Sequence, residues 1–189
     1  MQRADHDLAF MLQYENIAWY EDGKVKILDR RIYPARVEFV TCGTHQEVAQ
    51  AITDMVTQSA GPYTAVPMGM ALAAHECRDK TAAEQMEYLR KAAHTISHAR
   101  PTTVKRMALL CDLCLAEVER ALAAGEDTAQ AIVNKTVELN NTRYERVAKI
   151  GKYLVDLFPE NGTVMTHCFA ETIVGMMLRE CSERGKHIR

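Results

Sequence analysis

Cys168 is the residue of this chain whose type and position best suit chemistry. It follows a short β-like run at residues 163–167 that is interpreted as a buried strand, and a helical pattern begins close behind it at Ile173. Ligands bind at the carboxyl ends of strands in open α/β sheets, and free N–H groups at a helix start favour a thiolate. His167 points the opposite way along a strand, so it need not be the base. Position alone favours the alternative that Cys168 packs as a small buried hydrophobe.

Arg100 heads a second candidate site, for a phosphate group. It lies directly before Pro101, and Thr102 and Thr103 follow at the start of a helix predicted to begin near Val104. A helix start offers unpaired N–H groups, and an arginine with two hydroxyls beside it completes a set of donors for phosphate oxygens. Taken alone, the same residues are more often a surface arginine beside a helix cap.

Other chemistry-bearing residues have plainer explanations. Cys111 and Cys114 have C-x-x-C spacing, but both fall on the apolar stripe of a predicted helix, which favours core packing over redox or metal chemistry. His94 and His98 are neighbours on one helix face, yet no third ligand is spaced with them. The sequence has no glycine-rich nucleotide motif and no nucleophile elbow. Nucleotide binding through such motifs and Ser-His-Asp hydrolysis are therefore unsupported.

The composition bounds the class of protein. The chain has 189 residues, a net charge of -2 and 48% hydrophobic residues, which is typical of a globular protein with its own core. This charge produces no field that gathers nucleic acid or an anionic membrane, so neither is an expected partner. The amino terminus carries charges where a signal peptide needs apolar residues. We expect a cytoplasmic protein whose six cysteines are thiols.

The hydrophobic pattern predicts an α+β amino-terminal domain: a small antiparallel meander at residues 1–42 and a helical bundle at residues 43–160. An Asp-Gly turn joins the first two predicted strands. Capping boxes predict helix starts at Thr44 and Thr81, and Gly125 is expected to end a helix. Strands are expected at 17–20, 24–28 and 37–40, a loop at 59–67, and helices at 68–77, 104–125 and 128–158 among others.

Residues 161–189 are predicted to be the first strand and helix of an incomplete βαβ unit, which the family resemblance described below identifies as the start of a Rossmann-like α/β domain. The strand is expected at 163–167 and the helix from Ile173 to about Ser182, ending at Gly185. A parallel partner strand should follow such a helix, and none is recognised in the remaining residues. The apolar face of the helix would then lack a covering sheet, so we expect a longer polypeptide or a partner that completes the sheet.

Two short segments, Arg-Pro-Thr-Thr-Val at 100–104 and Val-Met-Thr-His-Cys at 164–168, resemble the 5-methylthioribose-1-phosphate isomerases. Residues 17–19, 27–31 and 68–73 agree with the same family in the same order. The family also contains ribose-1,5-bisphosphate isomerases and the regulatory subunits of the eukaryotic initiation-factor-2 exchange factor. The resemblance covers nearly the whole chain and implies strands and a helical bundle before a Rossmann-like domain.

The resemblance also implies a reaction and roles for the candidate residues. Such enzymes convert an aldose 1-phosphate to a ketose 1-phosphate, in methionine salvage or related metabolism, without a metal or organic cofactor. Cys168 would be catalytic, and Arg100 with Thr102 and Thr103 would hold the substrate phosphate. The anomeric phosphate blocks spontaneous ring opening, so an acid must open the ring before hydrogen moves between C1 and C2. The expected partners are a pentose phosphate and either a second copy in a homo-oligomer or the rest of the Rossmann-like domain.

Three departures from the family pattern limit these implications. Residues 58–62 lack the arginine that the isomerases have there, and Phe169 replaces the usual asparagine after Cys168. The catalytic aspartate of the family would lie beyond Arg189. We therefore expect a truncated portion that is inactive alone. The alternative is a non-catalytic regulatory or ligand-binding protein like the initiation-factor-2B subunits, which the missing arginine and Phe169 favour.

Overall fold

A computed structural model describes residues 3–189 of the chain. The structure is mostly helical, with a small three-stranded antiparallel sheet near the amino terminus. Among residues 3–189, no helix has the length and apolar character needed to cross a membrane. The strands are β1 (Ala18–Glu21), β2 (Lys24–Leu28), β3 (Phe39–Cys42), β4 (Asn161–Gly162) and β5 (His187–Ile188). The helices are α1 (Tyr14–Ile17), α2 (His45–Thr53), α3 (Pro62–Glu76), α4 (Ala82–Ser97), α5 (Val104–Ala124), α6 (Thr128–Val155) and α7 (Glu171–Glu183).

The predicted meander is confirmed, with its last strand two residues later than expected. β1 pairs with β2 and β2 with β3, both antiparallel, and Val25 lies opposite Cys42. Asp22 and Gly23 have φ angles of 48° and 71°, as a two-residue Asp-Gly turn requires. A Cβ on Gly23 would lie 2.7 Å from His75 Nε2, so glycine also allows the turn to approach α3.

Local caps place most helix ends where the sequence predicts them. The Thr44 hydroxyl accepts a hydrogen bond from the Glu47 N–H at 3.2 Å where α2 begins. Thr81 and Glu84 form a complete capping box at the start of α4. Gly125 ends α5 in the left-handed conformation, with a φ of 68°. These ends depend only on neighbouring residues, which is why they are readable from the sequence.

The central helix, α3, departs most from its prediction. It begins at Pro62, so the loop predicted at residues 59–67 is largely wrong. Proline at the first helical position needs no N–H partner, and Pro67 lies inside the helix, where its missing N–H removes a bond to the Tyr63 carbonyl. α3 is apolar on nearly every side, so it lacks the 3.6-residue periodicity that reveals a surface helix.

Two apolar clusters hold the helices and the sheet together. The larger one joins the sheet to α2, α3, α4, α5 and the start of α6, and it contains Cys111 and Cys114 as predicted. The smaller one joins the segment before β1 to α6 and α7, and includes Leu12, Tyr14 and Tyr144. The second cluster therefore packs the segment before β1, and also α7, against the middle of α6.

The strand predicted at residues 163–167 is wrong. Instead β4, two residues earlier, pairs in parallel with β5, so the second parallel strand that was expected to be missing lies within the chain. The Val164 N–H donates to the Arg189 carbonyl at 2.9 Å, and the pairing between these segments ends there. Residues 165–169 have no regular secondary structure because no strand among the described residues pairs with them.

α7 packs against α6, which covers most of the face that was predicted to be bare. Met177 and Val155 are buried in a third apolar cluster, and Ile173 and Val174 are partly buried against it. Leu178 alone of this predicted apolar face remains exposed. The expectation that the face needs a sheet to cover it is therefore wrong, because the long α6 supplies the cover.

Replacing Tyr144 with phenylalanine tests how firmly α6 holds the amino-terminal segment. The buried Tyr144 hydroxyl donates to the Leu12 carbonyl at 2.8 Å. Losing this bond leaves a buried carbonyl unpaired, so the free energy of unfolding should fall by about 1–2 kcal/mol in urea denaturation. Tyr153→Phe, at an exposed position of the same helix, should change it by less than about 0.5 kcal/mol. Equal losses for both variants would contradict the proposed tie.

Candidate functional site

A cavity of about 380 Å³ lies between the loop before α3, the middle of α6 and the start of α7. This volume falls in the range of small-molecule sites. Cys168 lines the cavity together with two charged side chains, Arg143 and Glu171. The rest of the wall is mainly small or apolar and consists of Ser59, Ala60, Tyr63, Val147, Ala170, Thr172 and Ile173.

Cys168 is exposed, whereas the other five cysteines, all within the described residues, are buried. It lies in the irregular segment ahead of α7, because the helix begins at Glu171. Ala170, which precedes the helix, has a left-handed backbone with a φ of 35°. The predicted direct passage from a strand through Cys168 into a helix is therefore wrong. The thiol still lines the cavity, so a molecule bound there can reach it.

Arg143 is held in the cavity wall by two tyrosine rings. Its Cζ lies 5.3 Å from the centroid of the Tyr63 ring and 4.7 Å from that of Tyr144, within the range of cation–π attraction. A second guanidinium, that of Arg106, lies 5.4 Å from the Tyr63 centroid. Within residues 3–189, the buried Nε and Nη2 atoms of Arg143 have no hydrogen-bond partner. Packing against rings, rather than a carboxylate, fixes this positive charge.

Glu171 places a carboxylate at the first turn of α7. It is 5% exposed, and its Oε1 accepts a long hydrogen bond of 3.4 Å from Arg30 Nη1. The other oxygen, Oε2, is buried without a partner among the described residues. The helix start and Arg30 together offset part of the cost of burying this charge. Burial also raises the pKa of the nearby Tyr144 to about 12, so its hydroxyl keeps its proton near neutral pH.

The predicted phosphate site at Arg100 is not part of this cavity. Arg100 precedes a single 3-10 turn, and the Thr103 hydroxyl donates to the Arg100 carbonyl at 3.3 Å. Thr102 is exposed. Among residues 3–189, the wall of the cavity includes neither Arg100 nor Thr102 nor Thr103. The structure thus brings Cys168 together with a different arginine, Arg143.

Sequence reasoning does not single out Arg143, Glu171 or Tyr63. None of them belongs to a recognised catalytic or binding motif. Arg143 directly precedes Tyr144, which the apolar pattern assigns to the inner side of α6, and Glu171 stands in the first turn of α7. A place beside an inward-facing aromatic does not distinguish Arg143, because Glu145 adjoins the same tyrosine. The neighbours of Arg143 across the cavity depend on the tertiary fold.

The remaining candidate residues take no part in the cavity. Cys111 and Cys114 lie in the larger core cluster, and burial raises the pKa of Cys111 to about 12. The rings of His94 and His98 stack with centroids 4.0 Å apart, and His98 Nδ1 lies 2.9 Å from the His94 carbonyl oxygen. Across residues 3–189, no three His, Cys, Asp or Glu side chains group closely enough to hold a metal.

Comparison with known proteins gives the family. Residues 61–189 match the sequence model of the initiation factor 2 subunit family. The chain belongs to this family. The match includes α3 to α7 and therefore every residue that lines the cavity except Ser59 and Ala60.

Two curated relatives carry the name of a methylthioribose-1-phosphate isomerase. The chain is 28% identical over 185 residues to the putative enzyme of Archaeoglobus fulgidus. This alignment covers 90% of the chain and 52% of the relative. It is 31% identical over 156 residues to the enzyme of Carboxydothermus hydrogenoformans. This alignment covers 80% of the chain and 44% of the relative. The chain thus spans about half the length of the curated relatives it matches.

Two solved structures share the fold. The 5-methylthioribose 1-phosphate isomerase of Pyrococcus horikoshii OT3 superposes with a TM-score of 0.72 at 23% identity, covering 91% of this chain and 50% of that one. The translation initiation factor eIF-2B subunit delta of A. fulgidus superposes with a TM-score of 0.68 at 25% identity, covering 92% and 53%. One fold therefore serves an enzyme and a translation factor subunit.

Alkylation tests the accessibility of Cys168. Iodoacetamide at neutral pH should label Cys168 much faster than Cys111 or Cys114, because Cys168 is exposed while burial removes the other two from reagent and raises their pKa values. Peptide mass spectrometry over a time course measures the three rates. Cys168→Ser should abolish the fast phase. Equal, slow labelling of all three thiols would remove Cys168 from the candidate site.

Proposed function

We propose that this chain is the amino-terminal portion of a sugar-phosphate aldose–ketose isomerase of the methylthioribose-1-phosphate type, acting in methionine salvage or related pentose-phosphate metabolism. The observation that carries the proposal is that the exposed Cys168 lines a cavity that also holds a guanidinium and a carboxylate. The names of the curated relatives support it. We assign residues 161–189 to the start of a Rossmann-like domain, for which the parallel pairing of β4 with β5 is the support.

The proposed reaction requires acid–base chemistry beside a bound phosphate. An acid gives a proton to the ring oxygen as the C1–O bond of the ring breaks. The C2 hydrogen then moves with its electron pair to C1, and the C2 hydroxyl gives its proton to a base as it becomes the carbonyl. A thiol suits this work because it can give or take a proton and is accessible to a molecule in the cavity. Cys168 is our candidate for that group. The family aspartate, expected after Arg189, would be its acid–base partner.

A non-catalytic, ligand-binding role is the second candidate. Its support is the likeness to the eIF-2B delta subunit, whose TM-score of 0.68 is close to the 0.72 of the isomerase. The missing arginine in residues 58–62 and Phe169 directly after Cys168 also favour this candidate. Both candidate functions include binding of a phosphorylated ligand, so a measurement of turnover is needed to separate them.

The proposed partners follow from the same assignment. A pentose phosphate is the proposed small-molecule ligand. The rest of the Rossmann-like domain, or a second copy of the chain, is the proposed cover for exposed apolar side chains around the end of α6 and the segment before α7, such as Leu157, Met165 and Phe169. We propose a cytoplasmic location, in keeping with a metabolic or translational role.

Cys168→Ser should separate binding from catalysis. In the longest polypeptide that the gene encodes, the variant should lose all measurable conversion of 5-methylthioribose 1-phosphate while its affinity stays within about threefold, as expected for a group that acts in the transition state. Lys91→Gln, which removes an exposed lysine paired with Glu87 on α4, should keep full turnover. A wild-type protein that binds this sugar phosphate without converting it would instead support the non-catalytic candidate.

Arg100→Ala tests the phosphate contact that the family resemblance implies. Arg106, in the first turns of the helix that follows Arg100, lies against Tyr63 of the cavity wall, so this end of α5 is close to the site. Loss of a charge-assisted contact to phosphate should weaken binding by about 1.5–3 kcal/mol, or roughly ten- to a hundredfold. Calorimetry with 5-methylthioribose 1-phosphate measures the change. An unaltered affinity would return Arg100 to the role of a surface residue.

A further inference from the structure

The guanidinium of Arg143 has an unfilled hydrogen-bonding edge. Its Nε and Nη2, which are both buried and unpaired among residues 3–189, are the two donors on one side of the planar group. Leaving buried charged donors unpaired is costly, so a protein that retains such an arrangement commonly uses it for a ligand. Arg143 also lines the Cys168 cavity, which is where such a ligand would enter.

The same edge of another arginine in this molecule indicates what fits it. Arg31 Nε donates to Asp29 Oδ1 at 2.8 Å, and Arg31 Nη2 donates to Asp29 Oδ2 at 2.7 Å. This is the bidentate geometry in which two parallel N–H bonds meet two oxygens of one anion. The edge of Arg143 therefore matches an acceptor with two oxygens, such as a phosphate or a carboxylate.

The protein does not supply that acceptor to Arg143 among its described residues. Glu171 lines the same cavity, but the ion pair that Glu171 makes within 4.0 Å is with Arg30. The rings of Tyr63 and Tyr144 hold the guanidinium plane from the sides and leave its donors unfilled. An arginine restrained in this way loses little side-chain freedom when an anion binds.

Glu171 adds a second, different requirement for the ligand. Its Oε2 is buried and unpaired, and an ionised carboxylate accepts hydrogen bonds without donating any. An anion placed on Arg143 would leave Glu171 Oε2 to accept from a hydroxyl group. The two unfilled groups together specify a molecule that carries both an anionic group and hydroxyls.

We propose that Arg143 binds the phosphate of a phosphorylated sugar in the Cys168 cavity and that Glu171 Oε2 accepts a hydrogen bond from a sugar hydroxyl. This assignment deepens the proposed function and rests on it for the choice of sugar phosphate. Arg143 also borders a small adjoining cavity of about 10 Å³, which has room for no more than a water molecule. The phosphate must therefore enter from the larger cavity, which the Arg143 side chain lines, and must displace the packing that now covers its Nε and Nη2.

Calorimetry on the protein with two probes tests the assignment. 5-Methylthioribose 1-phosphate should bind the wild type more tightly than 5-methylthioribose, which lacks the phosphate. Arg143→Gln should lower the affinity for the phosphate ester about ten- to a hundredfold and leave the affinity for the free sugar within about threefold. Arg120→Gln, which removes an exposed arginine paired with Glu117 and Glu126, is the matched control and should change neither.

Two further variants guard against a purely structural effect. Arg143→Lys keeps the charge but removes the bidentate edge, so it should fold and still lose several-fold in affinity for the ester. Glu171→Gln should weaken both probes, because both carry the hydroxyl that Oε2 is proposed to accept. If these variants instead change only the melting temperature, Arg143 and Glu171 serve the fold and the assignment is overturned.

The outcomes also separate this assignment from the proposed function. If the wild type binds and converts the ester, and Arg100→Ala loses affinity while Arg143→Gln does not, the isomerase proposal stands and Arg143 is not the phosphate ligand. If Arg143→Gln loses phosphate-dependent affinity in a protein that never converts the ester, the phosphate site stands and the isomerase proposal fails.

Discussion

The burial of α3 on nearly every side is the constraint on which the rest of the structure depends. Twelve of its fifteen residues are buried, so the helix gains its stability only if other elements surround it. Small residues allow that approach: a Cβ on Gly69 would lie 2.8 Å from Val48 Cγ1 of α2. The sheet, α2, α4, α5 and α6 all pack on this helix. Tyr63, in its first turn, is thereby fixed at the cavity.

Buried hydrogen bonds fix the position of α6 along its neighbours, in addition to the apolar packing. Asn140 on α6 donates to the Thr64 hydroxyl at 3.1 Å, one residue beyond Tyr63. Tyr14, from the segment before the sheet, donates to Asn141 Oδ1 at 2.8 Å. Apolar contact alone tolerates sliding of one helix along another, whereas a buried hydrogen bond is lost when its partner moves. The position of Arg143, two residues further along α6, is therefore set from both sides.

The features that could be predicted from the sequence are those with local causes. The Asp22–Gly23 turn and the caps at Thr44, Thr81 and Gly125 each depend on a few adjacent residues. The start of α3 could not be predicted in this way, because a helix buried all round has no polar stripe. The strand expected at residues 163–167 failed for a related reason, since pairing depends on a distant partner segment, and here that partner meets residues 160–164.

The candidate site divides in the same way. Cys168 could be predicted because a short motif carries the resemblance, while Arg143 and Glu171 could not, because what distinguishes them is a missing partner. An unfilled donor edge is a property of the folded environment and leaves no pattern in the chain. The arginine expected in residues 58–62 is absent, yet Ser59 and Ala60 of that loop still line the cavity into which α6 brings Arg143.

The two halves of the site are held with different firmness, and this bears on how it works. Arg143 sits in the middle of a long helix between two rings, so its charge is positioned before any ligand arrives. Cys168 lies in an irregular segment that is anchored to β5 only as far as Val164 and rejoins regular structure at α7. Under the proposed assignment, an anion would bind Arg143 at little entropic cost because the guanidinium is already held in place, and the substrate would have to meet the thiol of a segment outside regular structure. The proposed anion contact and the proposed reactive thiol thus depend on different parts of the fold: the first on the packing of α6 against α3, the second on the segment between β4 and α7.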